Sequence, residues 1–355
     1  MAAVSNFLIP GNAAADLEIR PVQRAEIETA LRLILAGASG VATDQAVVDF
    51  LQLSVWRGLD LTGIWVAVDP KGKVVWGVMP VISAGKSVLL LVPPKLRPGV
   101  SDVHVAELCA SACIEPRHNG FNLAQVIIDP QSKAVIRSLG HGGFEPVAVL
   151  MYLAREVRAH IQGRILPDQT LRIWKYDRSV HKRFADTIER SYEGSLDCVA
   201  LNGKRHIEDV IAGHKGSNEF DPSLWFLISD VHNHDLGVML LNRLHKREGY
   251  ELVYIGLVPE ARGRGLGDSL LRLAVNALAE EGGGHIITAV DSANTPAKRL
   301  YHRQGFGFMH SRQVMVKTLT PATPQTKSVI STTAVILRRH GERVPVPRDV
   351  EAKRE

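Results

Sequence analysis

The sequence predicts an α/β chain made of two tandem copies of one plan, and three observations carry that prediction. Each half opens with a short strand and an amphipathic helix, continues with a strand pair and a third strand, and then enters a long helix. Two ungapped blocks of one half can be laid on the other in the same order. With 355 residues the chain is also long for one compact domain and comfortable for two.

The elements follow in order. Leu17 to Arg20 reads as a strand, and Gln23 to Leu35 as a helix with apolar residues at Ile27, Leu31 and Ile34. Leu171 to Trp174 and Val180 to Tyr192 repeat that opening. The strand pairs are Ile64 to Val68 with Val74 to Val81, and Leu224 to Ser229 with Leu236 to Leu244. Turn residues separate the members of each pair. Third strands follow at Ser87 to Val92 and Leu252 to Val258.

Laying Leu91 to Glu115 on Leu257 to Glu281 matches Pro93 with Pro259, Gly99 with Gly265 and Asp102 with Asp268. Laying Ile128 to Phe144 on Val290 to Phe306 matches Asp129 with Asp291, Gly143 with Gly305 and Phe144 with Phe306. Identities at punctuating Gly and Pro positions argue for duplication. The resulting divisions are an arm over 1–16, a first domain over 17–163, a second over 170–319 and a basic tail over 320–355. Within that tail Val329 to Leu337 has strand character.

Composition narrows the function. Hydrophobic residues make up 45% and charged residues 22%, the balance of a soluble globular protein. The net charge of +5 invites a nucleic-acid partner, but the tail from Thr320 holds +3 of it and leaves +2 for the rest. Cys109, Cys113 and Cys198 form no C-x-x-C pair and fit a reducing, cytoplasmic setting. No segment has the length of a membrane span, and the N-terminus lacks a signal-peptide pattern.

Chemistry concentrates at Arg262-Gly263-Arg264-Gly265-Leu266-Gly267, between a strand and a helix with Leu270, Leu271, Ala274, Val275 and Leu278 on one face. The first amides of a helix lack internal partners and carry the positive end of its dipole, which suits a pyrophosphate. Glycine lets phosphate oxygens approach the backbone. A second block, Asn294 to Tyr301 followed by Gln304-Gly305-Phe306, places Asn294 and Tyr301 two helical turns apart.

Together these blocks resemble the GNAT superfamily of N-acetyltransferases, in the tandem arrangement of mycothiol synthase. Arg262-x-x-Gly265-x-Gly267 fits its pyrophosphate motif, and Asn294, Tyr301 and Gly305-Phe306 fit its later block. The resemblance covers residues 171–319 well and 17–153 as a degraded copy. It implies two acyl-CoA N-acyltransferase domains, each a mixed, mostly antiparallel sheet flanked by helices. It implies acetyl-CoA as co-substrate, no metal, and transfer of an acetyl group to a primary amine by direct attack.

The resemblance also implies roles. The pantetheine arm enters a gap between strands four and five, bonding backbone near Gly256, Leu257 and Val258. The diphosphate meets the stretch from Arg262 through Gly263, Arg264, Gly265, Leu266 and Gly267 to Asp268. Asn294 bonds the cofactor's arm, and Tyr301 donates to the departing sulfur. Full transfer from a phenol to a thiolate is uphill by roughly 2 kcal/mol at reference pKa values, so donation precedes transfer. Glu251 takes the strand-four place of the family's general base. Other members carry that carboxylate on strand five, where this chain has Ala289.

The first copy lacks the equivalents: Leu96 stands for Arg262, Pro98 for Arg264, Ser101 for Gly267 and Leu139 for Tyr301. It is therefore expected to support rather than catalyse. Cys198, within Gly194 to Asn202, falls where the family's acceptor-contacting loop lies, and Tyr192, Asp197 and Cys198 are acceptor-site candidates, with capping and packing as the competing roles. Gly85-Lys86-Ser87 lacks the glycine a P-loop needs, since Pro80 stands there. His232 and His234 sit in a polar turn with no third metal ligand in view. A non-catalytic acyl-CoA-binding regulatory module, and a nucleic-acid-associated protein acting through the tail, are the competing functions. The acceptor and the oligomeric state are not encoded in any motif.

Overall fold

In a computed structural model the chain is described over residues 16–37, 40–161, 170–201, 203, 205–245 and 249–319. Residues 1–15 of the arm, the expected junction over 163–169 and the tail with its strand-like stretch lie outside these residues.

The first half runs β1 (Glu18–Pro21), α1 (Ile27–Ile34), α2 (Asp44–Arg57), β2 (Trp65–Val68), β3 (Val74–Ser83), β4 (Ser87–Leu91), α3 (Asp102–Ala112), α4 (Ile114–His118), β5 (Leu123–Ile128), α5 (Lys133–His141) and β6 (Glu145–Val157). The second runs β7 (Arg172–Lys175), α6 (His181–Ser191), α7 (Ile207–Gly216), β8 (Glu219–Ser229), β9 (Asp235–Arg243), β10 (Gly249–Leu257), α8 (Leu266–Glu280), β11 (Gly284–Asp291), α9 (Thr295–Arg303) and β12 (Gly307–Thr318).

Apolar periodicity predicts the helices that cover the sheet. α8 buries Leu270, Leu271, Ala274, Val275 and Leu278, and α6 buries Phe184, Ala185 and Ile188. Each fully buried Leu or Phe contributes about 2 kcal/mol of transfer free energy. α2 and α7 escape a reading by periodicity because they bury little: α2 encloses only Val47 and Ser54, and α7 only Val210 and Ile211. Caps mark their ends instead. Thr43 accepts from the Ala46 amide at 3.2 Å, and Gly58 closes α2 in the left-handed region at φ +63°.

All twelve strands form one sheet in the order β1-β2-β3-β4-β5-β12-β6-β11-β10-β9-β8-β7. Its centre is an exchange. β12, from the end of the second half, lies between β5 and β6 of the first, and β6 pairs antiparallel with β11 of the second. Every other neighbouring pair is antiparallel except β4 with β5 and β10 with β11, the equivalent parallel pairs of the two halves.

The duplication shows in backbone conformation as well as in sequence. Gly99 and Gly265 have φ of +86° and +76°, and Gly143 and Gly305 have +84° and +77°. Such values favour glycine at both members of each pair. The matched aspartates also do matching work: Asp102 of α3 is held by Ser138 and His141 of α5, and Asp268 of α8 by Arg303 and Gln304 at α9.

Candidate active site

β10 and β11 part company halfway along. Their parallel pairing covers only Gly249–Leu252 against His285–Thr288, while β10 stays paired with β9 as far as Leu257. A register shift between Leu252 and Tyr254 bends β10 away at that point. The residues after Leu252 therefore present one unpaired backbone edge to a cavity of about 600 Å³, within the size range of small-molecule sites. Tyr254, Gly256 and Leu257 form one wall, Thr288 and Ala289 the opposite one, and Gly263, Gly265 and Gly267 the end.

The glycine-rich turn has the conformation its sequence demands. Gly263 and Gly265 have φ of +75° and +76°, and a Cβ on either would meet nothing within 4 Å. Their constraint is backbone conformation and open access, not packing. Gly265 caps α8, and the first helical bond runs from the Ser269 amide to Gly265 O at 3.2 Å. The amides of Leu266, Gly267 and Asp268 precede that bond and belong to the unsatisfied first turn. Gly267 differs: its added Cβ would lie 2.9 Å from a Leu300 methyl, so glycine there lets α9 sit against α8.

Gly256 is a close approach. A Cβ would fall 2.5 Å from Ser191 Oγ and 2.7 Å from the Tyr254 hydroxyl oxygen. Ser191 Oγ donates to Ile188 O at 2.6 Å, so the Tyr254 hydroxyl, 2.7 Å away, donates to Ser191 Oγ. This pair fastens α6 to the bent part of β10. Sequence patterning gives no sign of it, because α6 and β10 lie some sixty residues apart.

Arg262 lines the cavity, but its guanidinium is committed elsewhere. It donates to Leu257 O at 3.2 Å, Ser191 O at 3.1 Å and Glu193 O at 2.7 Å. The side chain thus fixes the turn against the end of α6 and leaves backbone as what Arg262 offers a ligand. Asp268 likewise lines the cavity while its carboxylate is held by Arg303 Nη2 and Gln304 Nε2, both at 2.9 Å. Val258 and Arg264 lie outside the wall: the Val258 amide donates to Leu236 O at 3.0 Å, and the Arg264 side chain is exposed to solvent.

Tyr301 faces the cavity from α9 with only 3% of its surface exposed, beside Thr288 and edge-on to Phe306. Burial raises its phenol well above the ordinary value, so it stays a neutral donor across the physiological range. Asn294 also lines the cavity. Its side-chain oxygen accepts from the Ala297 amide at 3.2 Å, capping α9, which leaves the amide NH₂ as its donor.

Glu251 lies outside the cavity wall, with Oε2 accepting from Asn218 Nδ2 at 2.7 Å. The other carboxylate of the wall, beside the ion-paired Asp268, is Asp197, from the loop after α6. Its Oδ1 accepts the Asp291 amide at 3.1 Å, and Asn294 hydrogen-bonds it as well. Burial, and then the nearby Asp291 charge, raises its pKa above the ordinary carboxylate value. Tyr301, Tyr192 and Cys198 all lie within its electrostatic reach. Cys198 is unsuited to nucleophilic work. Burial and the charges of Asp197 and Asp291 push its thiol up to about 12, against the opposing pull of Arg205.

In the first half the equivalent helix end is closed by its own residues. The Ser101 side chain caps α3, and the Ser101 amide donates to His104 Nδ1 at 3.1 Å. Leu139, at the place of Tyr301, is fully buried. Among the described residues no group of three His, Cys, Asp or Glu side chains is placed to hold a metal ion, and no helix is long and apolar enough to cross a membrane.

Residues 185–306, about a third of the chain, match the model of the acetyltransferase (GNAT) family. The GCN5-related N-acetyltransferase of Sphaerobacter thermophilus superposes with a TM-score of 0.58 at 20% identity, covering 86% of this chain and 97% of that one. A GCN5-related glucosamine N-acetyltransferase region of a fungal multi-domain GH3 β-N-acetylglucosaminidase gives 0.57 at 14%, covering 86% and 38%. Residues 185–306 are thus similar to a GNAT acetyltransferase domain, and the described residues have a GNAT-like α/β fold.

Among curated relatives, the mycothiol acetyltransferase of Corynebacterium glutamicum is 38% identical over 73 residues, 21% of this chain and 25% of the relative. That of Corynebacterium aurimucosum is 24% identical over 212 residues, 57% of this chain and 67% of the relative. The chain thus spans about a quarter of the first relative's length and about two thirds of the second's.

Proposed function

We propose that the protein transfers an acetyl group from acetyl-CoA to the primary amine of a small molecule by direct attack. The observation that carries this reading is the parting of β10 from β11 directly beside a turn of open, positive-φ glycines. An extended arm has an unpaired strand edge to bond, and a diphosphate has a helix N-terminus to meet.

On this reading the amine nitrogen attacks the thioester carbonyl and the C–S bond breaks as the tetrahedral intermediate collapses. The oxyanion is met by an amide of β10 beyond Leu252, on the edge that β11 leaves unpaired. Tyr301 donates to the departing sulfur. Its raised pKa makes complete proton transfer harder than in water, so hydrogen bonding carries most of its effect.

The ammonium must lose a proton before it attacks. Asp197 is the wall carboxylate that no arginine pairs among the described residues, and we assign it to accept that proton from the incoming amine. Glu251, the residue the family resemblance favours, reaches the amine only through an intermediary such as Asn218. The first half binds no cofactor on this reading, because Ser101 and His104 already occupy the end of α3.

The neighbours' names, mycothiol acetyltransferase and glucosamine N-acetyltransferase, put amino sugars and small amine-bearing thiols first among acceptors. The experiment is calorimetric titration with acetyl-CoA followed by CoA release against an amine panel. One acetyl-CoA site per chain and acceptor-dependent release are expected. Binding without release for any amine would favour the non-catalytic acyl-CoA module, and absence of binding would refute both.

A further inference from the structure

The back of α9 carries a second cavity, of about 540 Å³, between that helix and the exchanged strands β6 and β12. Its floor is apolar: Met151 and Leu153 of β6, Phe306 between α9 and β12, and Phe308 of β12. Phe308 is 60% exposed, a large phenyl left at the edge of an open groove. Its rim is rich in basic residues, formed by Lys298, Arg299, His302 and Arg303. Among the described residues lining it there is no carboxylate.

Two of those cations are already engaged. Lys298 donates to Ser292 O, and Arg303 is paired with Asp268. Arg299 and His302 are exposed on the helix surface with neither an ion pair nor a hydrogen bond among the described residues. A greasy trough under unneutralised donors complements one kind of molecule: an apolar chain ending in a negative head. Arg303 lines this groove and the acetyl-CoA cavity, but the two openings lie on opposite sides of α9.

We infer that this groove is a binding site for a single-chain anionic amphiphile, the chain lying on Phe306, Phe308, Met151 and Leu153 and the head meeting Arg299 and His302. Its size is that of a small-molecule site, which favours one ligand over a protein partner. The site is separate from the acetyl-transfer reading and is tested without acetyl-CoA, so either can fail alone.

The probe is decanoate, titrated calorimetrically into the full chain, with decyltrimethylammonium as the opposite-charge control. Saturable binding of one decanoate per chain is expected, with no binding of the cationic control. Phe308→Asp and the double variant R299E/H302E, all at exposed positions, should each weaken it by about tenfold or more. No saturable binding, equal binding of the cation, or unchanged affinity in both variants would overturn the assignment. Two further outcomes would also overturn it. One is adsorption to phosphatidylglycerol vesicles with no affinity for dissolved decanoate. The other is a dimer that Phe308→Asp dissociates while decanoate has no effect.

Discussion

Asp268 accepts a hydrogen bond from Arg303 at 2.9 Å, and that contact joins the two sequence blocks that line the candidate site. Asp268 stands in the first turn of α8, immediately after the glycine-rich stretch, and Arg303 ends α9, which carries Tyr301. The same carboxylate also takes Gln304, so one side chain ties the glycine-rich turn to the end of the helix that carries Tyr301. Asp268→Ala should raise the apparent KM for acetyl-CoA severalfold. Melting should shift little, since a partly exposed pair is worth about 0.2–1 kcal/mol. Steady-state kinetics beside a thermal melt separates the two.

The three glycines of the turn should respond differently. Gly265→Val imposes a side chain at φ +76°, costing about 1–2 kcal/mol of backbone strain, and covers the open amides. Acetyl-CoA affinity should fall at least about tenfold, a loss of roughly 1.4 kcal/mol. Gly267→Ala meets only the movable end of Leu300 and should cost much less. Equal losses at both positions in calorimetric titration would show that packing, not access to the amides, governs binding.

Tyr301→Phe removes the proposed donor and keeps the ring against Phe306. We expect kcat to drop by about 10²-fold with acetyl-CoA affinity nearly unchanged, the size of effect given by one positioned proton donor. CoA release measured by thiol detection checks it. A large rise in KM at constant kcat would instead mark Tyr301 as a packing residue.

Asp197→Asn and Glu251→Gln distinguish the two carboxylates. Burial and Asp291 raise the Asp197 pKa, so a rate controlled by it falls as pH drops through that raised value. The acid limb of kcat/KM should vanish in Asp197→Asn and persist in Glu251→Gln. The reverse pattern would return the role to Glu251.

His214 should make the fold acid-sensitive. Its Nε2 is enclosed without a hydrogen-bond partner among the described residues, and burial pushes its pKa down to about 4 from an ordinary 6.5. The unfolded chain then binds a proton that the folded chain does not, across pH 6.5 to 4. Stability is complete above 6.5 and falls through that window. His214→Phe should flatten the decline in melting temperature between pH 7 and 4.5. An unchanged slope would place the acid sensitivity in other groups.

Local information is enough for much of this protein. The helix stripes of α6 and α8, the paired strands and the positive-φ glycines are set by residues a few positions apart, so they are legible in the sequence. The match of Gly99 with Gly265 reappears as matched backbone conformation. The glycine-rich turn and the helix of Tyr301 were legible for the same reason: each follows a strand by a short, punctuated spacing.

Contacts between distant segments were decided only on folding. Nothing in β12 announces that it will lie between β5 and β6, because an exchanged strand and an unexchanged one carry the same alternation. Arg262 reads as a phosphate ligand by spacing, yet three carbonyls from α6, its following loop and β10 claim its guanidinium. Asp197 enters the wall, and Glu251 stays outside it, because the bend in β10 and the loop after α6 are fixed by packing across the sheet. Sequence spacing therefore determined which backbone groups stay free, and the tertiary structure decided which side chains reach them.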